Sequence, residues 1–458
     1  MRETVLTVCP LDRFTEWLSP KKLCNQPAEK PLKRFLNVYG AGHTGLKPGV
    51  NEMGRFQTFD ARSTRAMSAA TETIKEQTQT RAISLRWIIS AREDLVWFIG
   101  SVAASYLLLV LYVTGVLPLI PMVAGWAILI DAPHVFGTLS RTYFDRSEWK
   151  TRSRLLLGSL LFFAVGPILV LLGLGFTFFF VAALWAYYHL VKQHYGFMVL
   201  YKKKNNDLAP IDNALDRLLL MFAFNYPFVA FIANDPTAMA RVPPMLRGGV
   251  NAVAMLLLIG TIVLAIGWLI RQIQRAISRE PLNVPKYLLL TAAIPMHWVA
   301  LVTPMPAKPI ALVAILTIYH NLQYHRLIWF HNQKYVGRRS LPISRETALP
   351  ERQSLSAHQG GRAANEDVRN KYGPAAVISR RLIFYIAFGI LFGIIYQGPR
   401  QFLGYLNLHT GDSPAALSTP IQLGIAFLWG YAFIHYYLDS KIWRVRRDPA
   451  VGKALKMN

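Results

Sequence analysis

The chain has 458 residues, of which 53% are hydrophobic and only 16% charged, with a mean hydropathy of +0.28. That balance excludes an ordinary soluble enzyme and defines an integral membrane protein. Fifty Lys and Arg stand against 25 Asp and Glu, a net charge of +25, which would mean nucleic-acid binding on one soluble face but records topology when spread over loops between apolar runs. Cys9 and Cys24 are the only cysteines, and both precede the first apolar run. Disulfide frameworks, cysteine metal sites and cysteine nucleophiles are therefore excluded from the membrane part.

Residues 1–95 hold no stretch long enough to cross a bilayer and no secretory signal pattern, so they read as a basic cytosolic segment. Met67 offers a second start, which leaves two readings of residues 1–66, a genuine segment or one that is not translated. Ten apolar runs of spanning length follow, near 96–117, 119–137, 154–172, 176–201, 217–234, 250–270, 286–303, 309–331, 382–403 and 418–440. Turns are marked by Pro118 and Pro121, by Gly173-Leu174-Gly175, and by Pro304, Pro306 and Pro309. The expected fold is an all-α, polytopic transmembrane bundle of about ten spans over 96–440. Residues 332–381 form a flexible cytosolic loop and 441–458 a basic cytosolic tail.

Loops that stay in the cytosol accumulate Lys and Arg. With the N-terminus inside, 44 of the 50 fall on that side, and the opposite loops hold only Arg241, Arg247 and Lys308. Both termini are thus expected in the cytosol, in a membrane of the bacterial inner (plasma) type. The surplus charge is accounted for by topology, with some attraction to anionic lipid headgroups and no nucleic-acid partner.

Chemistry must then rest on His, Asp, Arg, Tyr and Asn. His134, His189, His194, His320, His325, His331 and His435 all fall at the cytosolic ends of four predicted helices, whereas His297 and His409 lie towards the other side. Ionisable groups at membrane depth are costly and usually face a bundle interior, so a functional site is expected, set against the bland alternative of interfacial histidines. Tyr188-His189-x4-His194 and Tyr319-His320-x4-His325 read as paired half-sites, each enclosing a Gln. Five residues turn a helix by about 500°, leaving the imidazoles of each pair ~140° apart. Each pair then serves one metal only if the helix is locally irregular; otherwise it serves two centres. His435-x3-Asp439 puts imidazole and carboxylate on one face, as two ligands or as a ligand and the acid that orients it. Asp131, inside a span, needs a partner. Arg141 and Asp145 read as an interfacial ion pair.

No Glu falls in a predicted span, so imidazole dominates the donor set, which suits iron, copper, zinc or nickel. These segments resemble the histidine-rich membrane desaturase and hydroxylase superfamily. His189-x4-His194 is similar to its first box, and His320, His325 and His331 stand where a later one would be; its His-His doublets are absent. The resemblance implies non-haem iron, one or two ions, held at the cytosolic ends of membrane helices. The expected ligands are His134, His189, His194, His320, His325 and His435, with Asp439 and Asp131 as ligands or supporting acids and Tyr188, Tyr319 and Asn321 as supporting donors. The expected activity is oxygen-dependent hydroxylation or desaturation of a lipid or other long apolar substrate. An acidic electron-donor protein would dock on the basic cytosolic face. The alternatives are a transporter coupling protons or cations through the same His and Asp residues, a haem protein with paired axial histidines, a lipid phosphatase or transferase using His435 and Asp439 as a catalytic pair, and zinc in place of iron.

Overall fold

The computed structural model describes residues 83–335, 366–408, 417–444, 449–455 and 457. Residues 1–66 and the middle of the 332–381 loop lie outside the described residues. Among the described residues, the compact unit Glu76–Asn458 holds ten long helices: α1 (Ala91–Val113), α2 (Leu119–Thr142), α3 (Arg146–Leu171), α4 (Gly175–Lys204), α5 (Pro210–Asn234), α6 (Pro244–Ile277), α7 (Val284–Val302), α8 (Lys308–Asn332), α9 (Leu382–Leu408) and α10 (Thr419–Ile442). Among the described residues the only strand pairing is a two-residue parallel ladder, Ile83–Ser84 with Leu282–Asn283.

Eight of these helices are long and apolar enough to cross a membrane. The other two, α4 and α8, fall short of that hydropathy for a reason their sequences make plain. α8 carries His320, Asn321, Gln323, His325 and Arg326 within two turns, and α4 carries Lys192, Gln193 and His194 and ends on Lys202-Lys203-Lys204. Such side chains are tolerated because the bundle shields them: α8 packs against α1, α2, α4 and α7 and buries most of its length. At the other extreme, α6 packs on α5 and only 6% of its most apolar stretch is buried, which leaves a broad exposed apolar surface.

Local irregularities aim the site. In α1 the stretch Asp94–Ile99 and in α2 the stretch Ala127–Asp131 are wound as π-helix. The second ends two residues before Pro133, whose missing N–H breaks the α-helical ladder there, and it resets the face on which His134 and Thr138 emerge. The Phe98 carbonyl in the first accepts hydrogen bonds from both Tyr319 Oη and Gln323 Nε2, at 2.7 Å each, locking α8 to α1. Gln193 of α4 donates to the His320 carbonyl at 2.7 Å, so the Gln inside each histidine motif ties helices together. α9 closes on α2 through Gly393, where a Cβ would collide with the Ile128 carbonyl.

Candidate metal centre

Four helices each send one imidazole to a common point: His134 from α2, His189 from α4, His320 from α8 and His435 from α10. One ligand nitrogen of each lies within 4.8 Å of the other three. His134, His320 and His435 are 3% exposed or less, and His189 is 9% exposed. The Nε2 atoms of His134 and His435 are 2.8 Å apart. Ring centres are separated by 4.5 Å (His134–His435), 4.7 Å (His189–His435), 4.8 Å (His134–His320) and 5.2 Å (His189–His320). Two imidazoles bound to one tetrahedral ion through ~2.0 Å bonds put their ring centres about 5 Å apart, so these four pairs stand near ligand spacing, while His134 and His189 are 6.4 Å apart. His189 Nε2, His134 Nδ1 and His320 Nδ1 are buried without a hydrogen-bond partner. Four buried imidazoles with three unpartnered ring nitrogens among them are the composition of a site for a borderline divalent ion.

Behind His435 stands a polar relay. Its Nδ1 is 2.7 Å from Thr138 Oγ1, which donates to Asp439 Oδ1 at 2.7 Å, while Tyr324 Oη donates to the same carboxylate oxygen at 2.8 Å. Thr138 Oγ1 and Tyr324 Oη are themselves 2.6 Å apart. Two hydroxyl protons aimed at one oxygen require Asp439 to act as an acceptor. Thr138 Oγ1 is then free to accept the His435 Nδ1–H, which leaves Nε2 bare on the cluster side. The direct His435–Asp439 contact is longer, 3.8 Å, so Thr138 mediates what the four-residue spacing brings near. Tyr436 stacks on the His189 ring, with centres 4.4 Å apart, and holds it against the cluster.

The remaining expected site residues lie elsewhere. His325 is turned away from the cluster: its Nε2 donates to the Ile130 carbonyl at 3.0 Å and its ring centre is 6.2 Å from His134. Its helical phase, some ~140° from His320, accounts for this. His194 departs from His189 in the same way and lies 5.6 Å, ring to ring, from His297, a residue the sequence placed at a different depth. Asp131 accepts from Asn321 Nδ2 at 3.3 Å and Gln397 Nε2 at 3.2 Å, a partly buried carboxylate held by amides outside the cluster. Tyr319 is spent on Phe98, and Tyr188 is 53% exposed on the outer face of α4. His331 pairs with Asn332 at the end of α8. Arg141 and Asp145 form no ion pair with each other. Arg141 donates to the Ile442 carbonyl and lies over Trp443, while Asp145 caps α3 and accepts from Tyr335.

Two supporting residues went unassigned in the sequence reading, Thr138 and Tyr324. Each sits four residues after a cluster histidine, as Asp439 does, so one rule, the residue one turn beyond each ligand, would have found all three.

No known protein family, curated protein or solved structure matches this chain. The four-histidine geometry therefore carries the functional reading alone.

Proposed function

We propose that this chain is a metal-dependent membrane oxidoreductase, using iron at the four-histidine centre to hydroxylate or desaturate a lipid or another long apolar molecule. The observation that carries the reading is the convergence of four buried imidazoles from four helices in a bundle whose outer surface is apolar. Bound iron would supply the redox chemistry of oxygen activation. His134, His189, His320 and His435 would hold it. Thr138 and Asp439 fix the His435 ring and its proton, and Tyr436 and the helix walls exclude water. Tyr324 Oη, hydrogen-bonded to Asp439, stores a proton beside the centre. The absence of carboxylate and thiolate among the four donors keeps the ligand set neutral, and the surrounding bundle suits an apolar substrate.

Electrons would come from an acidic protein docking on the basic loops. The test is elemental analysis of the detergent-purified protein, followed by oxygen uptake with a reductant and a mixed lipid extract. The expected result is iron in the protein and lipid-dependent oxygen uptake that the His134→Ala variant loses. Zinc alone, with no oxygen uptake at any lipid concentration, would overturn it.

A further inference from the structure

We propose a second metal site in the same bundle, built on His194 of α4 and His297 of α7. Both anchoring imidazoles are fully buried, at 0% exposure, and their ring centres are 5.6 Å apart and nearly perpendicular, at 88°. That separation lies between the ~5 Å of two imidazoles on a tetrahedral ion and the ~6 Å of two on opposite sides of one. His194 Nδ1 is 3.0 Å from the Leu190 carbonyl and His297 Nδ1 is 2.9 Å from the Ala293 carbonyl, each one turn back on its own helix. A carbonyl oxygen only accepts, so both Nδ1 atoms carry the ring proton and both Nε2 atoms are bare lone pairs. Neither Nε2 has a hydrogen-bond partner.

Two buried acceptors side by side cannot satisfy each other. A second proton on either ring would face its neighbour in an apolar pocket walled by Phe224, whose ring centre is 4.0 Å from His297 and 5.3 Å from His194. What the pair lacks is an electrophile: a borderline divalent cation such as zinc, iron or copper, or a water donating to both. Their arrangement favours the cation because the carbonyl contacts pre-set the tautomer a metal requires, as the fixed second nitrogen of a ligating histidine does. His320 stands between the two sites, its ring centre 6.4 Å from His194 and 4.8 Å from His134, and its buried Nδ1 has no hydrogen-bond partner. The His189-x4-His194 motif thus serves two centres, one residue to each.

The inference concerns metal content and does not rest on the reaction proposed above. The full chain, purified in detergent, stripped with a chelator and titrated with Co2+ and separately with Zn2+, should saturate at two ions per chain. The His194→Ala/His297→Ala variant should retain one, and so should His134→Ala/His435→Ala. The two Co2+ absorption spectra should differ. Wild-type saturation at one ion, or unchanged stoichiometry in His194→Ala/His297→Ala, would overturn the second site and leave a bridging water as the occupant. The wild-type stoichiometry decides even if the double variant fails to fold. A failure of the four-histidine centre instead shows as a His134→Ala/His435→Ala variant that binds as much as wild type.

Discussion

Thr138 carries more of the centre than its size suggests. It is fully buried on α2 and its hydroxyl meets His435, Asp439 and Tyr324 at once. Thr138→Val keeps the shape and removes the relay, so the His435 ring loses its acceptor and Asp439 one of its two donors. Supporting contacts of this kind are worth about 10- to 100-fold in metal affinity. Thr138→Val is expected to weaken binding at the four-histidine centre within that range, as read by competition with a chelating dye. Asp439→Asn should match it, because the carboxylate acts through Thr138; a complete loss of metal in Asp439→Asn would instead make the carboxylate a ligand. Tyr324→Phe should be the mildest of the three, since Thr138 still donates to Asp439.

Between helices, the clearest fastening is an ionic cluster where α4 and α6 end and α5 and α7 begin. Lys286, fully buried, reaches Asp207 Oδ2 at 2.7 Å and Asp216 Oδ2 at 3.0 Å, and Lys202 pairs with Asp216. Arg275 holds Asp207 at 2.8 Å and Arg271 holds Asp212 at 2.9 Å. Burial pushes the Asp207 carboxyl up, but the neighbouring Lys286, Lys202 and Arg275 together outweigh it and hold the group below the usual carboxylate range. A carboxyl whose folded value is depressed contributes stability above its ordinary titration near about pH 4, and that contribution is lost as pH falls through the folded value. Asp207→Asn leaves buried cations under-paired, a change that costs about 3–5 kcal/mol. Thermal unfolding in detergent should show a lower Tm at neutral pH. The wild-type Tm should fall below about pH 4, and the variant should lack that part of the decline. An unchanged Tm at pH 7 would mean that the cluster is decoration.

At the scale of the whole molecule, the cluster also changes what the basic loops are. Lys202, Arg271, Arg275 and Lys286 belong to loops whose charge argued for a cytosolic side, yet each is engaged in ion pairs. Cytosolic sidedness follows the number of Lys and Arg near span ends, not net charge, so ion pairing leaves that expectation unchanged. A reporter fused after Asn458 is expected to be active only as a cytosolic reporter, and activity of an exported one would reverse the assigned sides of every loop.

Composition and periodicity decide that this chain is a bundle of apolar helices, because burial of the backbone in lipid leaves no other economical solution. They also single out its histidines, since an imidazole in an apolar run is conspicuous against a background of Leu, Ile and Phe. A span count from hydropathy is less secure: α4 and α8, which carry His189 and His320 among further polar residues, fall short of the hydropathy of the other eight helices. What periodicity cannot decide is which face of each helix meets which neighbour. His320 and His325 are equivalent candidates in sequence, yet the helical phase sends one into the cluster and the other to the Ile130 carbonyl. His194 and His297 are separated by 103 positions and were assigned different depths, and only the packing of α4 on α7 sets their rings 5.6 Å apart. The local pattern names the groups with the right chemistry. The π-wound turns, the glycine contacts and the interhelical hydrogen bonds choose among them, because ligand geometry is a matter of ångströms between segments hundreds of residues apart.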